Sequence, residues 1–282
     1  MIDLHTHSTA SDGSLSPEEL VIVAKKSGLE ALALTDHDTF EGVKIAYIIA
    51  SEVNLPFLCG VEISVKYERE GHFHLLGYFL TPEVPLLQNT LKKLQKARAE
   101  RNKKMIKKLQ ELGIEITMEE LKEIAKGGEI GRPHIAQLLI KKGVVRNFEE
   151  AFEKYLKKGA PAYIPKAFLS PEEAIKLILK AKGIPVLAHP ISLKLSLSEL
   201  EEYLKKLKDF GLYGIEAYYT QHTQEFTEFL LNCAKKFDFL VTGGSDFHGD
   251  NKPDIKLGKG YGNLNIPFEV FINLKNALEK LA

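Results

Sequence analysis

Two periodicities alternate along this chain. Short apolar runs of strand character, Met1–Leu4, Ala31–Leu34, Pro56–Ile63 and His72–Phe79, are separated by stretches whose apolar residues recur at helical spacing. Ser16-Pro17-Glu18-Glu19 opens the first such stretch. Ser16 can cap, Pro17 suits the first helical position, and Glu19 can return the cap's hydrogen bond. The helix is predicted to run through Leu20, Val23 and Ala24 to Gly28, and another spans Phe40–Ser51. From about Glu83 to Pro165 the pattern turns to helix after helix, punctuated by Gly113, Gly127-Gly128, Gly143 and Gly159. Strand–helix alternation resumes at Ser170-Pro171-Glu172-Glu173 and continues through Pro185–Ala188, Gly214–Ala217 and Leu240–Gly243. An α/β fold with a mainly parallel sheet, open or closed into a barrel, is therefore expected over residues 1–82 and 166–282, with a helical insert over 83–165. Ligands in such folds collect at the carboxyl ends of strands. Asp36-His37-Asp38, Glu62, His189-Pro190, Glu216 and Ser245-Asp246-Phe247-His248 all fall at such ends.

Bulk properties narrow the class. With 282 residues, 44% hydrophobic and 27% charged, the chain is long enough for one large domain plus an insert. No apolar run is long enough to span a membrane, and the first residues lack a basic leader and read as a core strand. The two cysteines, Cys59 and Cys233, lie in apolar contexts without zinc spacing, so a reducing, cytoplasmic setting is expected. A net charge of zero conceals an asymmetry: residues 91–166 carry 19 Lys and Arg against 10 Asp and Glu. An acidic body joined to a basic segment suggests metal gathered in one part and an anion drawn to the other.

The chemistry starts at His5-Thr6-His7. A strand has period two, so both imidazoles project from one face, as neutral nitrogen ligands for a divalent ion do. Further groups able to bind metal, Asp12, His37, Glu62, His74, His189, Asp246 and His248, lie near other strand ends. His72, on the same face as His74 by parity, competes for that position. Mixed imidazole and carboxylate donors suit Mn²⁺, Zn²⁺ or Fe²⁺ better than Mg²⁺ or Ca²⁺, and nine of them suffice for two or three ions.

His5-Thr6-His7-Ser8-Thr9-Ala10-Ser11-Asp12-Gly13, Thr35-Asp36-His37-Asp38, Gly60-Val61-Glu62, His74, His189-Pro190 and Ser245-Asp246-Phe247-His248-Gly249 resemble the motifs of the PHP (polymerase and histidinol phosphatase) superfamily. The resemblance spans nearly the whole chain. It implies a distorted seven-stranded (β/α) barrel and a trinuclear centre. His5, His7, Glu62 and Asp246 would hold one ion, Glu62 would bridge to a second on His74 and His189, and Asp12, His37 and His248 would hold a third. Asp36 and Asp38, as candidate catalytic residues, would orient ligand imidazoles in structural support of the site, or simply cap helices. His222 would contact substrate or give a proton to the leaving group.

Gly131-Arg132-Pro133-His134, inside the insert, sharpens the likeness to stand-alone phosphoesterases that remove the 3′-phosphate of nucleoside 3′,5′-bisphosphates by attack of a hydroxide generated on the ions. Arg132 can grip a phosphate bidentately, His134 can add a hydrogen bond at the same helix start, and Lys166 is a third candidate for that anion. Tyr218 and Tyr219 could stack on a base or simply pack. The expected partner is a small phosphorylated substrate, with neither a membrane nor a stable nucleic-acid partner. Competing readings are 5′→3′ trimming of short RNA, histidinol-phosphate hydrolysis, and a catalytically inactive metal-binding module.

Overall fold

The computed structural model describes residues 1–125 and 130–281; Gly127 and Gly128, read from the sequence as part of a turn, lie outside them. Among the described residues the strands are β1 (Ile2–Asp3), β2 (Ala31–Leu34), β3 (Phe57–Val65), β4 (Phe73–Phe79), β5 (Ile184–Leu187), β6 (Gly214–Tyr219) and β7 (Leu240–Gly244). The helices are α1 (Pro17–Lys26), α2 (Val43–Glu52), α3 (Pro85–Glu111), α4 (Met118–Ala125), α5 (Arg132–Lys141), α6 (Phe148–Ala151), α7 (Pro171–Lys180), α8 (Leu197–Asp209), α9 (Gln224–Phe237) and α10 (Phe268–Leu281).

All seven strands form one sheet in sequence order, and the chain beyond β1 and β7 closes it. Leu4 N–H donates to Gly243 O (3.2 Å), Asp246 N–H to His5 O (2.9 Å) and His7 N–H to Phe247 O (2.9 Å). The result is the nearly closed seven-stranded α/β barrel that the alternation left undecided. Neighbours pair in parallel except at β4, which runs antiparallel to both β3 and β5. The reversal follows from a connection of only seven residues between β3 and β4, which is too short for a crossover.

Side chains alternate between two apolar layers along each strand, as a period of two requires. Leu32, Leu34, Cys59, Val61, Leu75 and Leu187 pack with buried residues of α1, α2, α7, α8 and α9. Ala31, Ala33, Leu58, Leu76, Tyr78 and Val186 pack with Phe271, Leu274 and Leu278 of α10. Burying each large aliphatic side chain is worth about 1.5–3 kcal/mol, enough to hold the rim residues on a stiff frame. The predicted starts of α1 and α7 form as written: Ser16 Oγ accepts from Glu19 N–H, Ser170 Oγ from Glu173 N–H, and each Glu returns the bond.

The chain divides into two compact units, Met1–Leu91 with Phe168–Ala282, and Lys92–Ala167. The sequence reading put the boundaries at 82/83 and 165/166. Helix α3 begins two residues beyond the first of these and runs unbroken through Leu91 and Lys92, and its opening turns bury Leu87 and Leu91 in the barrel unit's own core. The second unit has its own core of Met105, Leu109, Leu121, Ile135, Leu139 and Leu156, among others. No helix among the described residues is long and apolar enough to cross a membrane.

Candidate metal centre

Glu62 is the middle of the site. It projects from β3, fully buried, and five imidazoles approach its two oxygens: His74 at 2.7 Å, His189 at 2.8 Å, His5 and His37 at 3.1 Å, and His7 at 3.2 Å. A carboxylate offers about four lone-pair directions, so hydrogen bonding alone does not explain five nitrogens. Nor do the angles fit. His7 Nε2 and His74 Nδ1 lie within reach of Glu62 yet make no hydrogen bond among the described residues. His5 and His189 do meet Glu62 with hydrogen-bond geometry, so the further rings of His7 and His74, which crowd the same carboxylate without it, are arranged around a shared centre, as ligands around cations are.

The remaining residues complete that arrangement. Asp246 Oδ1 lies 3.2 Å from His7 Nε2, and Asp12 Oδ1 lies 3.3 Å from His248 Nε2. Donor atoms of His5, His7, Glu62 and Asp246 lie within 4.8 Å of one another, as do those of His7, Asp12, His37 and His248, and those of His37, Glu62 and His74. The structure thus brings together the nine positions singled out in the sequence. His74 reaches them although it stands near the beginning of its strand. Because β4 is antiparallel, its start lies at the rim where the parallel strands end.

Three imidazoles have an outer nitrogen tied to an acceptor and an inner nitrogen turned to the pool, the pattern that orients metal ligands. His5 Nδ1 lies 2.9 Å from Glu216 Oε1, His248 Nδ1 donates to Asp246 O at 2.7 Å, and His189 Nδ1 lies 2.9 Å from Ser192 Oγ. Glu216 is the important residue that sequence reasoning left without a role. Its signal was present, as a lone carboxylate in the apolar strand β6 at the same rim. It is fully buried, and its second oxygen accepts from His189 N–H at 2.6 Å, so one side chain supports two ligands. Lys252 was also missed, and Tyr219 was read only as a ring that stacks or packs; both donate to Asp246 Oδ2, at 2.8 and 3.1 Å.

Electrostatics follow from this crowding. Burial opposes protonation of His5 and His7, but Glu216 and Glu62 outweigh it at His5, and Asp246 and Glu62 do so at His7. His5 is held well above the usual imidazole range and His7 rises to about 9. Burial would raise Glu62, yet His37, His74 and His5 hold it well below the ordinary carboxylate range. Without cations, protons on His5 and His7 balance the buried carboxylates, while burial lowers His37 to about 3. The rim backbone is strained as well: Asp38, His189 and Asp246 have φ of 51°, 25° and 59°, a region costly for residues with a Cβ.

Several expectations need correction. Asp36 does not orient an imidazole. Its carboxylate accepts from Ser8 N–H (2.8 Å), Ser8 Oγ (2.7 Å) and Ser11 Oγ (2.6 Å), fastening the loop that carries Asp12. Asp38 accepts from Ser64 N–H and Ser64 Oγ, both at 2.8 Å, and so ties down β3 beyond Glu62. Both residues position backbone. His222 is ill-suited to giving up a proton. Burial lowers it to about 4, its Nδ1–H donates to Ala217 O (2.9 Å), and Nε2 is left with a lone pair. Tyr219 packs against His189 and His222, with ring centres 5.3 and 5.1 Å away, which favours packing over base stacking. Tyr218 packs against the α10 side of the sheet.

In the second unit, Arg132 begins α5 after Gly131. Its guanidinium lies over the rings of Phe152 (5.5 Å) and Tyr163 (5.8 Å) and donates to Leu156 O (3.3 Å). His134 Nδ1 accepts from Gly131 N–H at 3.1 Å, so the proton of the neutral ring sits on Nε2. Arg101, unremarked in the sequence, is buried and donates to Ile164 O at 2.8 Å; burial and neighbouring Arg132 lower it to about 10. Lys166 is half-buried two residues beyond Ile164.

Comparison with known families now bears on this geometry. The PHP domain matches residues 3–258, from β1 to the turn after the Asp246–His248 rim. The chain belongs to the PHP domain family. Among related PHP proteins, a Haemophilus influenzae protein named as a 5′-3′ exoribonuclease is 36% identical over 87% of this chain and 89% of its own length. A Chromobacterium violaceum protein named as a 3′,5′-nucleoside bisphosphate phosphatase is 34% identical over 91% of this chain and 90% of its own. The crystal structure of a Bifidobacterium adolescentis protein named for metal-dependent phosphoesterase activity superposes with a TM-score of 0.75 at 31% identity, covering 98% of this chain and 96% of that one. A PHP barrel with imidazole and carboxylate donors at its rim is thus established here; the ions' identity and number are matters of proposal.

Proposed function

We propose that this PHP protein is a metal-dependent phosphoesterase whose main reaction removes the 3′-phosphate of nucleoside 3′,5′-bisphosphates. The observation that carries the reading is Glu62, a buried carboxylate ringed by five imidazoles. His5, His7, Glu62 and Asp246 would hold one ion, Glu62 with His74 and His189 a second, and Asp12, His37 and His248 a third. Mn²⁺, Zn²⁺ or Fe²⁺ bound there would supply Lewis acidity at the phosphoryl oxygens and a strong nucleophile near neutral pH.

The chain's own residues do the positioning. Glu216 holds His5 by Nδ1 so that Nε2 stays turned to Glu62. Lys252 and Tyr219 steer Asp246 through its outer oxygen. For the phosphate that does not react we assign Arg132, His134 and Lys166. The Arg132 fork, braced by two aromatic rings, can take two phosphate oxygens, and His134 Nε2–H can donate to a third. Placing Arg101 beside Arg132 concentrates like charge, which an anion relieves.

Phosphate release with added Mn²⁺ from a nucleoside 3′,5′-bisphosphate, mononucleotides and histidinol phosphate tests the assignment. The bisphosphate should be the best substrate. Arg132→Ala should raise KM for it by roughly tenfold or more and leave the mononucleotide KM nearly unchanged. Equal effects on both would remove the second-phosphate role. Full ion loading with no hydrolysis of any substrate would favour the inactive module. A second reading, 5′→3′ trimming of short RNA, has support from the 36%-identical relative named for that activity. The two separate in a time course on 5′-phosphorylated di- to pentanucleotides beside the bisphosphate.

A further inference from the structure

His72 and His74 are rivals for one position in the sequence; the structure brings both to it. Their ring centres are 4.9 Å apart, and His72 is 5.5 Å from His189. One donor atom each of His72, His74 and His189 lies within 4.8 Å of the other two. A wandering surface histidine would not have its main chain so firmly tied. His72 N–H donates to Ser192 O at 3.0 Å, and Ser192 Oγ donates to His72 O at 2.9 Å. The preceding Gly71 has φ +103°, and a Cβ there would stand 2.2 Å from Ser192 O, so the approach requires glycine. Ser192 also controls His189. Its only proton goes to His72 O, so toward His189 Nδ1 the hydroxyl is an acceptor and Nδ1 carries the hydrogen. His189 Nε2 is thereby left as a lone pair turned to Glu62 at 2.8 Å.

We infer that His72 is a further ligand of the ion held by His74, His189 and Glu62. The inference rests on the metal-centre reading above and adds to it: three imidazoles and one carboxylate oxygen make a four-donor set. Such a set suits Zn²⁺, whereas ions that demand six oxygens are poorly served. This position would then be more selective for zinc than the other two.

Cobalt substitution of the full chain tests this without reference to turnover. His72 is exposed, so its replacement leaves the core intact. Co²⁺-loaded His72→Cys should gain an intense near-ultraviolet thiolate-to-cobalt band that the parent protein lacks. In competition with a chromophoric chelator, His72→Ala should weaken one equivalent of Zn²⁺ by about tenfold or more and leave the others as they were. Both results are required. A cobalt-loaded cysteine variant without the band, or a His72→Ala titration that superimposes on the parent, overturns the inference and leaves the metal centre standing. A parent protein that takes up no cobalt overturns the metal-centre reading and this inference together.

Discussion

Glu216 shows how much a supporting side chain can matter. It touches two ligands at once, His5 through its ring and His189 through its backbone, and has no contact with solvent. Glu216→Gln keeps the shape and removes the charge that fixes the His5 ring. We expect ion affinity to fall about 10–100-fold with little change in fold, measured by chelator competition alongside circular dichroism. Unchanged affinity would mean that His5 is oriented by packing alone. Proton balance gives a second expectation. Asp246 and Glu62 hold His7 at about 9 in the ion-free protein, so an ion that takes His7 must displace its proton. Below that value affinity should rise with pH, about tenfold per unit for each proton released. Ion titrations in two buffers of different ionisation enthalpy would count the protons; pH-independent affinity would contradict the scheme.

At the scale of elements, closure of the barrel determines whether His5 and His7 meet the other ligands. Gly244, at the end of β7, lies so close to β1 that a Cβ there would stand 2.3 Å from His5 Cβ and 2.4 Å from His5 N. Gly244→Ala should therefore cost about 1–3 kcal/mol or more, read from the denaturant midpoint, with loss of bound ion because His5 is pushed aside. Retained stability and ion content would show that the seam can relax. The reversed strand β4 is the other element that matters. With a parallel β4, His72 and His74 would lie at the far end of the barrel from Glu216 and Asp246.

On the whole-molecule scale, the ligands and the basic residues of the second unit rest on separate cores. Leu139 is fully buried in the second unit, and Leu139→Ala should cost that unit about 2–5 kcal/mol. Ion content should stay at the parent level while the unfolding profile loses stability, as followed by calorimetry with elemental analysis. Early loss of ions would show that the two cores fold as one.

Much was legible in the sequence because it is local. The capping boxes at Ser16 and Ser170, the period-two runs and the rim histidines depend on neighbours a few residues away, and there the structure agrees within a residue or two at most boundaries. The pool of donors was legible because imidazoles and carboxylates at the ends of apolar strands have few other uses. The roles of Asp36, Asp38 and His222 were not, since a polar side chain's role depends on which partner is nearest. Ser8 and Ser11 claim Asp36, and Ser64 claims Asp38. The Ala217 carbonyl takes the His222 proton. Spacing alone established which residue types could bind metal and which segments would carry them. Only the closed, once-reversed sheet decided that Glu62 stands at the centre, that Glu216 and Ser192 orient the imidazoles around it, and that His72 and His74 reach it together. Those relations join residues up to 211 positions apart, and no periodicity extends that far.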